Sequence, residues 1–132
     1  VIIGDNTVIE DYSEITDSVI DENVTIGTGS KIKRCTIWNN VKIGDFVVVN
    51  VNSSVGHDVI IEDGCTISGH VDITGNCHLG KRVFVGSHAS ILPGMIIEDF
   101  AKIGAGSVVL NRVNSGETVM GVPARTIFRK KL

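Results

Sequence analysis

Aromatic side chains are scarce in this chain: Phe, Trp and Tyr make up only 5% of its 132 residues. With 42% hydrophobic residues, that scarcity excludes a wide core built on rings and points to a narrow interior filled by Val and Ile. No apolar run is long enough to span a bilayer, and no charged-then-apolar leader opens the chain, so a soluble protein that does not enter membranes is expected. Charge of one sign is also lacking. The net charge of -3 gives no global electrostatic reason to expect a nucleic-acid partner.

What is present is a repeat. From Ile43 to Val109 every sixth residue is aliphatic: Ile43, Val49, Val55, Ile61, Ile67, Ile73, Leu79, Val85, Ile91, Ile97, Ile103 and Val109. Two residues before each sits an uncharged, mostly small residue, from Val41, Val47 and Ser53 through Cys65 and Cys77 to Ala101 and Ser107. A period of six fits neither an amphipathic helix nor a simple alternating strand. Residues two apart in a strand point the same way, so each hexad supplies two inward side chains, two outward ones and a two-residue corner. The corners are largely turn residues: Asp45-Phe46, His57-Asp58, Asp63-Gly64, Gly69-His70, Gly75-Asn76, Lys81-Arg82, Ser87-His88, Pro93-Gly94 and Ala105-Gly106. Three hexads close a triangular coil in which residues 18 apart stack, with coils about 4.8 Å apart. An all-β parallel solenoid of about six triangular coils, roughly 30 Å tall, is expected over residues 1–110.

Residues 1–42 keep the repeat with two slips, Ile15 to Ile20 and Ile32 to Ile37, each one residue short and both at the same corner. Ile3, Ile20, Ile37, Val55, Ile73, Ile91 and Val109 therefore still share one face. The chain opens on Val1 already inside a hexad, as expected of a processed or excised piece. Cys35, Cys65 and Cys77 all fall at inward positions on three different faces, which excludes pairing. Buried free thiols in odd number indicate a reducing compartment, the cytoplasm.

The outward faces are not equally polar. Ile60, His78 and Ile96 stack on one face, and Val48, Thr66, Phe84 and Lys102 on the next. Apolar outward residues on successive coils suggest a protein interface, for which a cyclic homotrimer of three-faced prisms is the natural closed form. After Val109 the repeat stops. Residues 111–132 read as a C-terminal cap with a basic tail, Arg112, Arg125, Arg129, Lys130 and Lys131, which either covers the last coil's edge or receives an anionic ligand.

Four histidines lie outside the core. His57 and Asp58 share a corner, with Gly75-Asn76 one coil above and Asn39-Asn40 one coil below, so the imidazole projects among small or amidic neighbours. Histidine is the usual general base at neutral pH, and a carboxylate can orient it and stabilise its cation. Asp58 is the adjacent candidate, Glu62 the second. His70 and His88 should stack at another corner. Two ligands from one corner fall short of a catalytic zinc site, so no metal is assigned.

The hexapeptide run resembles the left-handed β-helix acyltransferases. Within them GHDVIIEDGCTISGHVDITGNCHLGKRVFVGSHASILPG, KIGAGSVVLNRV and GVPAR, spread over about residues 53–127, are similar to the sialic acid O-acetyltransferase and bacillosamine-type amino-sugar N-acetyltransferase family. The resemblance implies left-handed coils, His57 as catalytic base with Asp58 raising its basicity, and acetyl-CoA as co-substrate in a cleft between subunits of a trimer. It also implies a cleft wall that includes Thr66, Gly75, Ser87 and Ala105, with Arg125 on the CoA phosphates. Family members often carry an N-terminal nucleotide-binding α/β domain, whereas residues 1–52 read here as further coils. The expected activity is direct acetyl transfer to an amine or hydroxyl of a sugar. The alternatives are a zinc hydratase resembling the carbonic anhydrases of the same fold, and a non-catalytic solenoid that binds or assembles.

Overall fold

In a computed structural model, residues 1–130 are described. They form a parallel β-solenoid in which each hexad contributes one short strand to one of three faces. The first face stacks Ile2–Ile3, Val19–Ile20, Thr36–Ile37, Ser54–Val55, Asp72–Ile73, Ser90–Ile91 and Val108–Val109. The second stacks Val8–Ile9, Thr25–Ile26, Lys42–Ile43, Ile60–Ile61, His78–Leu79 and Ile96–Ile97. The third runs from Glu14–Thr16 through Lys31–Lys33, Val48–Val49, Thr66–Ile67, Phe84–Val85 and Lys102–Ile103 to Glu117–Gly121 and Ala124–Arg129. Six complete coils and an incomplete seventh result.

Register follows the hexad count. Val55 pairs with Ile73 and Ile61 with Leu79, while Ile3 pairs with Ile20 and Ile20 with Ile37 across the shortened steps. The missing residue comes out of the corner after Glu14–Thr16 and Lys31–Lys33. That corner turns through Asp17 and Arg34 alone, each in the left-handed region, at φ 47° and 51°. All twelve aliphatics from Ile43 to Val109 are at most 2% exposed. Burying each contributes about 2 kcal/mol.

Inward serine and cysteine play one role. Ser53 Oγ donates to Ser68 O at 2.8 Å and accepts Val71 N–H at 3.1 Å. Cys65 Sγ lies 2.9 Å from Gly80 O and Cys77 Sγ 3.1 Å from Leu92 O, both on the coil above. All three thiols are free and buried. Burial pushes each up, Cys65 to about 11, which keeps them protonated and unreactive.

Beyond Val109 the hexad spacing is lost but the ladders continue. Val113 bridges Ile97 in parallel, and Val119 pairs with Ile103. The chain then turns through a cis Val122–Pro123 bond and Ala124–Arg129 runs back antiparallel to Glu117–Gly121. Buried Glu117 pins this hairpin: Thr126 Oγ1 donates to it at 2.8 Å, Asn114 N–H at 2.8 Å and Arg129 Nε at 3.2 Å. The last two residues of the basic tail, Lys131 and Leu132, lie outside the described residues.

Candidate active site

The corner between the first and second faces stacks as one edge. Asn23 N–H donates to Asp5 O, Asn40 to Glu22, Asp58 to Asn39, Asn76 to His57 and Gly94 to Gly75. The second residue of each corner is in the left-handed region: Asn6, Asn23, Asn40, Asp58, Asn76 and Gly94. Asn, Asp and Gly are the residues that tolerate this conformation. The column satisfies that demand with Asn or Gly at every level except one, where it places a carboxylate beside a histidine. Asp58 is thus more than a turn former, a signal readable in the sequence only once the column is aligned.

His57 Nδ1 is 2.9 Å from Asp58 Oδ2, with both side chains about half exposed. A carboxylate only accepts, so the bond orients the ring with Nδ1–H donating, and Nε2 has no hydrogen-bond partner among the described residues. The ring lies over the Cα of Gly75 on the coil above. A Cβ there would meet His57 Cε1 at 2.6 Å and Nε2 closer still. Gly75 is therefore the seat of the imidazole, and its own amide carries no hydrogen bond among the described residues. Glu62, the second candidate partner, instead holds His78 Nε2 at 2.8 Å on the second face. There it lines a hollow of about 200 Å³ with Ile96 and Glu98, away from His57. His78 stacks on Ile60, two positions before Glu62 on the same outward side, so the Glu62 carboxylate reaches diagonally across one coil to the ring rather than back to the corner.

The corner between the third and first faces is a different edge. Gly69, Ser87 and Ala105 stack there, since His88 N–H donates to Gly69 O and Gly106 N–H to Ser87 O. Beside this row the rings of His70 and His88 lie parallel, with centroids 4.7 Å apart and planes within 2°. Above it Gly121 N–H is tied to Ser107 Oγ at 3.0 Å, and Arg125 follows on the returning strand, exposed beside a hollow of about 220 Å³ shared with Arg112. Thr66 is on the third face between Val48 and Phe84. The structure thus brings His57, Asp58 and Gly75 together on one edge and Ser87 and Ala105 together on another. The first face separates the two groups within one chain. The four histidines likewise divide among two edges and a face: His57 meets Asp58, His78 meets Glu62, and His70 and His88 meet each other.

The fold and parts of the sequence resemble known proteins. Residues 1–57 match the family model described as GlmU-like, C-terminal hexapeptide. A serine acetyltransferase of Helicobacter pylori is 36% identical over 110 residues, covering 82% of this chain and 63% of that protein. The chain therefore spans less than two thirds of this relative's length. Among solved structures, a hexapeptide transferase family protein from Anaplasma phagocytophilum superposes with a TM-score of 0.91 at 20% identity, over 99% of this chain and 85% of that one. The acetyltransferase domain of PglB from Neisseria gonorrhoeae, in complex with acetyl coenzyme A, superposes with a TM-score of 0.80 at 24% identity, over 92% and 57%. The superpositions, at 20% and 24% identity, show the left-handed β-helix fold, and the sequence matches cover parts of longer proteins.

Proposed function

We propose that this chain is the catalytic β-helix of an acetyl-CoA-dependent acetyltransferase, acting on an amine or hydroxyl of a sugar in the manner of the sialic acid O-acetyltransferase and bacillosamine-type family. The observation that carries the reading is the His57 Nδ1–Asp58 contact of 2.9 Å, which leaves Nε2 as base at the surface beside a glycine and an unused amide. Nε2 takes the proton of the acceptor as its nitrogen or oxygen attacks the thioester carbonyl. Asp58 holds Nδ1–H and stabilises the imidazolium. The Gly75 N–H is the donor assigned to the tetrahedral oxyanion. Collapse expels the CoA thiolate, which recovers the proton from the imidazolium. The three cysteines face inward with raised thiol pKa, so transfer is direct rather than through an acyl-enzyme.

The acyl donor's arm is assigned to the row of Gly69, Ser87 and Ala105, with Thr66 and Gly75 on the cleft wall and Arg125 toward its phosphates. Because that row and His57 occupy separate edges of one chain, the site is completed by an adjacent subunit, and a cytoplasmic homotrimer supplies it. A second acceptor class, the hydroxyl of an amino acid, is favoured by the 36% identity to a serine acetyltransferase.

The test is calorimetry of acetyl-CoA on the native chain and His57→Ala, followed by thiol release with amino sugars, sialic acid and L-serine. Both proteins are expected to bind acetyl-CoA, and only the native one to release CoA, with one acceptor. Equal turnover in His57→Ala removes the base assignment. Absence of acetyl-CoA binding by both removes the transferase reading.

A further inference from the structure

The remaining edge, between the second and third faces, breaks the rule that the other two follow. Its second corner residues stack as Tyr12, Gly29, Phe46, Gly64, Arg82, Phe100 and Gly116, linked by Gly29 N–H to Asp11 O, Phe46 to Thr28, Gly64 to Asp45, Arg82 to Asp63, Phe100 to Lys81 and Gly116 to Asp99. All except the glycines hold φ between 53° and 62°. On the other edges this conformation falls almost entirely to Asn, Asp, His and Gly, with Arg34 at a shortened corner the exception. Here it falls to three aromatics and an arginine, for which it is a genuine outlier. Strain of that kind persists where the surrounding structure and a function hold it.

The glycines between these residues are seats. Phe46 lies over Gly29, where a Cβ would meet its Cε1 at 2.6 Å, and the Arg82 stem lies over Gly64, where a Cβ would meet Cγ at 3.0 Å. Two hollows flank Arg82. One, of about 450 Å³, is lined by Phe46, Asp63, Gly64, Lys81 and Arg82. The other, of about 290 Å³, brings Phe100 and Phe128 together with Arg82, Lys102 and Lys130. The carboxylates that flank Phe46, Arg82 and Phe100 are turned to the coil: Asp45 accepts Thr28 N–H, Asp63 accepts Asp45 N–H and Asp99 accepts Lys81 N–H, at 2.8 to 2.9 Å. Among the described residues no carboxylate forms an ion pair with Arg82, Lys102 or Lys130.

We propose that this edge is a binding site for a nucleoside phosphate, its base against Phe100 and Phe128 and its phosphate held by Arg82, Lys102 and Lys130. Aromatic faces take any flat base, and a guanidinium with two ammonium groups takes an anion. The site stands apart from the acyl-transfer reading, because the second face separates it from His57 and the third from Ser87 and Ala105.

The test is calorimetry of the full chain with ADP and with UDP, repeated in saturating acetyl-CoA, on the native protein, Phe100→Asn and Arg82→Gln. Native protein is expected to bind at least one of the two nucleotides, more weakly at higher salt. Each variant should bind it about tenfold more weakly. Phe100→Asn should keep its Tm, because Asn is the residue the neighbouring edge uses in this turn. Undiminished nucleotide binding in saturating acetyl-CoA supports the separate site, and displacement by acetyl-CoA overturns it, because the nucleotide would then occupy the acyl donor's own site. Failure of the native protein to bind either probe at about 1 mM, equal binding by both variants, or a change of particle mass in Phe100→Asn, which would make the edge a subunit contact, overturns it.

Discussion

Gly75→Ala separates catalysis from stability at the His57 corner. Gly75 is not in the left-handed region, so alanine is compatible with its backbone, and Gly→Ala at such a site is worth about 0.4–1 kcal/mol in the folded state's favour. Its new methyl would stand 2.6 Å from His57 Cε1 and 2.9 Å from Cδ2. The imidazole is half exposed and held by one hydrogen bond, so the ring yields rather than the coil. Restoring an ordinary contact of about 3.5 Å moves it by about 1 Å. A misplacement of that size costs about 10²-fold in rate, or about 2.7 kcal/mol of transition-state stabilisation. The expected outcome is a Tm at or slightly above native with kcat/KM for thiol release lowered about 10²-fold. A stable Gly75→Ala protein with native kcat/KM would refute the reasoning, because the ring would then have been displaced without effect on the reaction.

Gly56→Ala inverts that pattern, since its Cβ would meet the backbone of the next coil, Gly75 N and Thr74 C, both at 2.8 Å; thermal unfolding should show a loss of about 1–3 kcal/mol. Asp58→Asn keeps a residue suited to φ 57° and should leave Tm unchanged, while the lost charge lowers kcat/KM by about tenfold. The three thiols should resist a disulfide reagent at pH 8 in the native protein and react fully in denaturant, as burial raises each of them and Cys65 reaches about 11. The hydrogen bond from Thr126, with help from Asn114 and Arg129, holds the Glu117 carboxyl below its ordinary value of 4.5. The hairpin's stability is then full above that value and lost as pH falls through the lower folded one. Protection factors of residues 117–129, taken relative to intrinsic exchange at each pH, should therefore fall on acidification below about pH 4.5, and Glu117→Gln should remove that fall.

The sequence by itself determined the solenoid, its register and the stacking of its edges, because a hexad can bury two side chains per strand only by closing three equal faces. That requirement fixes which residues lie 17 or 18 apart on a column. It placed His57 under Gly75, His70 under His88, and each cysteine inside. Hexad counting stops at Val109, so the continued ladder through Val113 and Val119 and the returning strand Ala124–Arg129 emerged only in three dimensions, where the edge of the last coil needed partners for its backbone. The choice between two carboxylates was likewise a tertiary decision. Asp58 and Glu62 are both near His57 in sequence, but rotamers sent Asp58 to His57 and Glu62 to His78, and side-chain torsions leave no trace in a repeat. The same is true of the aromatic edge. Tyr12, Phe46, Arg82 and Phe100 are legible as corner residues, yet their shared left-handed backbone, their glycine seats and the hollows between them depend on how one coil's side chains fall on the next.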